Sequence, residues 1–211
     1  MANVSRINGF KPVKHNNGSP YNGQSNLYYV ASAADEILVG DIVKLATSAD
    51  AYGNPGADLC GALDVPLGVV VGVLHSKFNP VGNMTTGAVS LDLPASAQIA
   101  ASGSGYILVA DSPDVLCEAE ASNGTPAITD IGLNISHANG SRSASTVTSP
   151  AYLDFGTEAT TNILNFNLRG FVQSPKNEIG ASAKMIVGFN RHQFKSNSDT
   201  TGSAMFGGVG V

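Results

Sequence analysis

Short apolar runs alternate with turn signals along most of the chain, and the clearest pair lies at its middle. Residues 106–110 and 115–119 flank Asp111-Ser112-Pro113-Asp114. Each run is too short for an ordinary helix, so the pattern predicts two strands joined by a tight hairpin turn. Pro113 has no N–H for a ladder, and Asp111 and Asp114 suit turn amides as acceptors. Residues 67–74 (LGVVVGVL) are the most apolar run. They predict a strand buried on both faces, with Gly68 and Gly72 admitting a neighbouring backbone. Residues 162–173 alternate best: Leu164, Phe166, Leu168 and Val172 fall on one face, and Asn165, Asn167, Arg169 and Gln173 on the other. That is a strand half buried and half wet.

Further strands are predicted at 37–45, where two apolar triplets surround Gly40-Asp41 as a bend or bulge, and at 88–93, 131–135 and 184–194. Residues 94–104 form the single stretch that reads as a short helix or loop. Residues 137–149 are a polar loop with no means of burying themselves. No repeat of fixed period is visible. The fold class is all-β, an antiparallel β-sandwich or β-barrel (jelly-roll-like or β-tulip-like) with an extended N-terminal arm.

The arm is residues 1–30, rich in turn dipeptides such as Asn8-Gly9, Asn17-Gly18 and Asn22-Gly23 and without sustained period. Phe10, Val13, Tyr21, Tyr28 and Tyr29 give it apolar points. They predict docking on its own body or on a neighbouring subunit. The β body is 31–194, with room for two subdomains meeting near 121–130, and 195–211 is a Gly/Ser-rich tail.

Composition narrows the function more than the fold. Charged residues are 13% of the chain, the formal net charge is −5, and tryptophan is absent. Lys and Arg form no basic run, so no nucleic-acid partner is expected. No apolar stretch approaches the ~18 residues of a spanning helix, so no membrane partner is expected. The first residues carry neither a basic region nor an apolar run of the secretory kind. Cys60 and Cys117 are far apart and read as buried thiols rather than a disulfide or a metal pair.

Chemistry is hard to find in the pattern. His15, His75, His137 and His192 are isolated, with no histidine or cysteine at ligand spacing. Strand alternation puts Cys117 with Val115 and Ala119 in the core, away from Glu118. Asp111 and Asp114 suggest a carboxylate pair, yet turn capping explains them more simply. No catalytic residue, metal or cofactor is expected.

A resemblance supplies what chemistry does not. The N-terminal GFKPVKHNNGSPYNGQSNLYYV, Val39-Gly-Asp-Ile-Val, Gly68-Val-Val-Val-Gly-Val and Tyr106-Ile-Leu-Val-Ala-Asp-Ser-Pro-Asp-Val are similar, in order, to capsid decoration (cement) proteins of tailed bacteriophages. Asn177-Glu-Ile-Gly-Ala and Phe189-Asn-Arg-His-Gln-Phe extend the likeness over most of 8–194. The resemblance implies a non-enzymatic virion protein on the capsid exterior, assembled in the host cytoplasm. It implies two partners, the major capsid protein and further copies of itself as a trimer or dimer. The arm residues Phe10, Val13, Tyr21, Tyr28 and Tyr29 are then the capsid or subunit contacts. The alternatives are a glycan- or receptor-binding β-sandwich of a phage fibre or spike, and a cell-wall hydrolase using a histidine or Asp111 and Asp114.

Overall fold

The computed structural model describes residues 3–31, 36–74, 98–99, 104–142, 148–195, 197–198 and 204–205. Its strands are β1 (Lys11–His15), β2 (Asn26–Val30), β3 (Ile37–Leu38), β4 (Ile42–Ala49), β5 (Pro55–Leu59), β6 (Gly68–Leu74) and β7 (Gln98–Ile99). Then come β8 (Gly105–Ala110), β9 (Val115–Ser122), β10 (Asn134–Ala138), β11 (Tyr152–Ala159), β12 (Phe166–Phe171) and β13 (Lys184–Phe189). β14 (Asn197–Ser198) pairs with β15 (Ala204–Met205), and among the described residues the one short helical turn is Ile128–Asp130. The all-β expectation holds. The strand expected at 88–93 lies outside the described residues. Of the helix-or-loop stretch at 94–104, Gln98–Ile99 is strand, pairing with β3.

Strands β2, β5, β4, β6 and β8 close into a barrel. A second sheet runs β1-β9-β11-β10-β12-β13, and β9 also pairs with β13. Its last five strands therefore return on themselves, with β1 attached along one edge of β9. The expectation of purely antiparallel pairing fails at two places, because β2 pairs with β5 and β9 with β11 in parallel.

The predicted hairpin at 105–121 is not one. β8 pairs with β2 and β6 in the barrel, whereas β9 pairs with β1, β11 and β13 in the second sheet. Asp111–Asp114 is the crossing between the two units, earlier than the 121–130 expected. Local pattern marks a break between strands, and pairing partners decide what the break connects. Of the two dockings expected of residues 1–30 the structure shows the one on their own body, and there they are part of the sheets rather than an arm beside a body that starts at 31. β1 lies on β9, and β2 is a full member of the barrel, pairing with β8 from Asn26 to Val30. The first 30 residues cannot bury themselves alone, so they complete both units.

The two cycles are one topology used twice. In each, the first strand is parallel to the third, and the pairs third–second, second–fourth, fourth–fifth and fifth–first are antiparallel. Registers coincide as well. Val43 faces Gly68 as Ile135 faces Phe166, and Lys44 faces Asp58 as Ser136 faces Asp154. Val70 faces Val109 as Leu168 faces Val187. The fourth strand of each slips register at the same point, between Val70 and Gly72 and between Leu168 and Gly170. A bulge there adds one residue against the partner strand.

The turn before each second strand matches bond for bond. Gly40 N–H donates to Val70 O at 2.8 Å, and Gly132 N–H to Leu168 O at 2.9 Å. Asp41 N–H donates to Leu38 O, and Leu133 N–H to Asp130 O. Gly40 and Gly132 hold φ of +96° and +98°, which favours glycine. The offset between matching residues is 92 from Val43 to Ile135, 98 from Val70 to Leu168 and 78 from Val109 to Val187. No fixed period exists for a sequence search to find.

Two cores result. Tyr28, Val30, Val43, Val70, Val73, Ile107 and Val109 fill the first barrel. The second core is built on Cys117, Ala119, Leu153, Phe166, Leu168, Met185 and Val187, and it draws in Ile42, Cys60 and Val69 from the first barrel's outer surface. Val69 and Val70 thus serve different cores, which is why residues 67–74 read as apolar throughout. The bulge between Val70 and Gly72 lets Val70 and Val73 share a face although they are three apart.

Candidate functional site

Among the described residues, polar side chains of both units come together at the contact between the barrels and at the crossing at 111–114. At the first, Asp41 ends the turn before β4 and is fully buried. Arg142 reaches it from the β10–β11 connection, Nη1 to Oδ2 at 2.7 Å and Nη2 to Oδ1 at 2.9 Å. Ser149 Oγ–H and Leu38 N–H also donate to this carboxylate. Arg142 donates further to the carbonyls of Glu36 and Asn139. A buried charge requires such full coordination, since an isolated one is very costly. The polar loop at 137–149, expected to stay wet, is therefore pinned between the barrels at its described ends. Residues 143–147 lie outside the described part.

Next to this ion pair, His137 on β10 is enclosed. Its Nε2 lies 3.1 Å from Cys60 O and its Nδ1 3.2 Å from the Asn165 side-chain amide. Burial pushes its pKa down to about 4. Asn165 was expected on the wet face of its strand and is fully buried instead, because that face meets the first barrel. Ser136 Oγ–H donates to Ala62 O at 2.9 Å, and Asn139 Nδ2–H to Cys60 O at 3.0 Å. Arg191 and Gln193, past β13, donate to the carbonyls of Leu63 and Val65. His192 between them is buried and also held to about 4 by desolvation. Cys60 and Cys117 are free and buried, and burial pushes both thiols up, as expected of core cysteines.

At the crossing, a cleft of about 310 Å³ is lined by His15, Tyr21, Gln24, Ser25, Asn26, Asp111, Ser112 and Val115. Asp111 accepts from Asn26 Nδ2–H at 2.9 Å and from Tyr28 O–H at 2.6 Å, joining the strand that enters the barrel to the segment that leaves it. Burial, then this bond to a carboxylate, pushes the Tyr28 hydroxyl up. Asn16 N–H donates to Asp114 O at 2.8 Å. That acceptor is the Asp114 backbone carbonyl, and Asn16 Nδ2–H also donates to Asp114 Oδ1 at 3.3 Å, so main chain and both carboxylates tie the crossing together. No nucleophile stands against a base here, and among the described residues no three of His, Cys, Asp and Glu are placed to hold a metal.

The five residues expected as contacts of an arm divide sharply. Phe10 is buried between the units, stacked on Phe166 at 4.9 Å and meeting His137 edge-on. Tyr28 is a core residue of the first barrel. Neither is available to another chain. Val13 and Tyr29 are half-buried on strands, with Tyr29 5.4 Å from the Tyr106 ring. Tyr21 is half-buried at the cleft, its O–H donating to Gln24 O. Sequence reasoning missed Arg142 and Asp41. The available signal was a lone aspartate within the apolar run at 37–45.

Compared with models of known families, with curated proteins and with solved structures, this chain matches none.

Proposed function

We propose that this chain is a non-enzymatic capsid decoration (cement) protein, binding the outer surface of a tailed-phage head and stabilising contacts between capsomers. The observation that carries the reading is the joining of two like barrels through buried contacts, above all Arg142 on Asp41. A clamp that resists outward pressure needs a body that does not hinge, and this interface spends buried polar groups on doing that. The ordered resemblance over most of residues 8–194 supports the same reading. So does a low-charge surface able to make many hydrogen-bonded, wet contacts, which symmetry multiplies. Its partners are the major capsid protein and further copies of itself. Its place is the virion exterior, reached from the host cytoplasm during assembly.

The test is binding to assembled heads with vacant decoration sites, read by co-sedimentation and negative-stain imaging. Binding to heads but not to free capsid subunits is expected. Equal binding to free subunits, or none to heads, sinks the proposal.

The cleft at the crossing favours one second reading, a glycan- or receptor-binding module. Its lining of carboxylate, amide, hydroxyl and imidazole groups suits a polyhydroxylated ligand. A glycan array with one specific ligand, lost in Asn26→Ala, would move that reading to first place.

A further inference from the structure

We infer that a second copy of this chain docks head-to-tail, using in the opposite barrels the surfaces by which the two barrels join inside one chain. It rests on the repeat, and not on the capsid proposal, whose self-association it supplies with a surface.

The internal contact has a donor side and an acceptor side. The second barrel presents β10 and the β10–β11 connection, through Ser136, His137, Asn139 and Arg142. The first barrel receives them on the turn before β4, at Asp41, and on the segment after β5, at Cys60 and Ala62. The repeat gives each side a counterpart. β4 and the β4–β5 turn match the donor side, with Lys44 for Ser136 and Leu45 for His137. The turn at 128–133 and the far half of β11 match the acceptor side, with Gly156 for Cys60 and Glu158 for Ala62.

These counterparts do not meet within the chain. Ser136 and His137 are buried, whereas Lys44 and Leu45 are only half-buried. Asp41 and Leu38 are buried, whereas their counterparts Leu133 and Asp130 are only half-buried, and Ile131 and Ile128, the counterparts of half-buried Val39 and Glu36, are 38% and 69% exposed. Tyr52, in the β4–β5 turn, is 57% exposed. Were the barrels related by a true two-fold, both contacts would form at once and all of these groups would be covered. One contact only means a heterologous relation, which leaves one donor side and one acceptor side open on every molecule.

The open sides fit each other chemically. Three of the seven exposed large hydrophobics of the described residues, Tyr52, Ile128 and Ile131, fall on them. The Ser136-to-Ala62 hydrogen bond becomes Lys44 against Glu158, opposite charges on a half-buried and an exposed position. The Lys44 amine already rests on Asp64 at 2.6 Å, on the same outer surface. A head-to-tail contact closes rings when its rotation divides a full turn, and otherwise extends filaments.

The experiment is sedimentation of the full chain over a concentration series. Ile131→Glu and Lys44→Glu are each expected to weaken association at least tenfold, and Lys44→Glu with Glu158→Lys to restore it. Mixed Tyr52→Cys and Ile131→Cys chains are expected to form a disulfide dimer that neither forms alone. A chain that stays monomeric at every concentration overturns the contact. So does association untouched by both single variants, or a Tyr52→Cys chain that cross-links to itself. Association through another face together with head binding leaves the capsid proposal standing and removes this one. The predicted contact without head binding does the reverse.

Discussion

Arg142 grips Asp41 across the two barrels with both terminal nitrogens, at 2.7 and 2.9 Å, and the carboxylate has no solvent exposure. Removing one partner strands the other charge. Arg142→Met should cost about 3–5 kcal/mol, and Asp41→Asn a similar amount. The Arg142→Met/Asp41→Leu pair should recover part of that loss, because no charge is then left buried. Urea titration of the four chains measures this. Additive single losses would show that the two residues act separately.

His137 and His192 make the fold acid-sensitive. Both are held near 4 when folded, below the ordinary 6.5 of a free histidine. Protonation therefore favours the unfolded chain. Stability should be full above about pH 6.5 and fall as the pH drops towards 4, by on the order of 3 kcal/mol for each site. Unfolding midpoints at pH 7.5, 6.0 and 5.0 follow the effect, and His137→Gln should flatten the slope. An unchanged slope would place the acid sensitivity elsewhere.

Gly40 and Gly132 occupy the same place in the two barrels with nearly the same φ, but not the same surroundings. A Cβ on Gly132 meets nothing within 4 Å, while on Gly40 it comes within 3.2 Å of Asn8 O, Gly9 Cα and Ser149 Cβ. Gly132→Ala should cost only the backbone strain, about 1–2 kcal/mol. Gly40→Ala should cost more, since backbone rather than a flexible side-chain end must yield. Thermal unfolding of both variants compares them directly, and equal losses would contradict the close approach at Gly40.

Phe10 fills the space between the units, so Phe10→Ala should cost about 3–5 kcal/mol. Deleting residues 2–30 removes β1 and β2 and opens the first barrel. That chain should fail to give a cooperative unfolding transition in circular dichroism. A truncated chain that still melts cooperatively would show that the first 30 residues dock on a body that folds without them.

The sequence by itself determined the class and most strands. Alternation and β-branched runs are local, so 67–74, 106–110 and 164–172 name themselves as strands, and Cys117 falls in the core as its neighbours require. Absence of basic runs and of ligand-spaced histidines and cysteines was equally visible, because composition and spacing need no fold.

Only the tertiary structure decided which strand pairs with which. Asp111–Asp114 looks the same whether it turns one strand onto the next or carries the chain from one barrel to another. The repeat stayed hidden because the pattern asks only that a buried position be apolar. Tyr28 can therefore stand where Ala119 stands, and connections of different length erase the period. What survives is register, bulge and the hydrogen bonds of one glycine turn. The buried lock of Asp41, Arg142 and His137 was out of reach for the same reason. Asp41 lies about 100 residues from Arg142 and His137, and a polar side chain reads as wet until the surface that covers it is known.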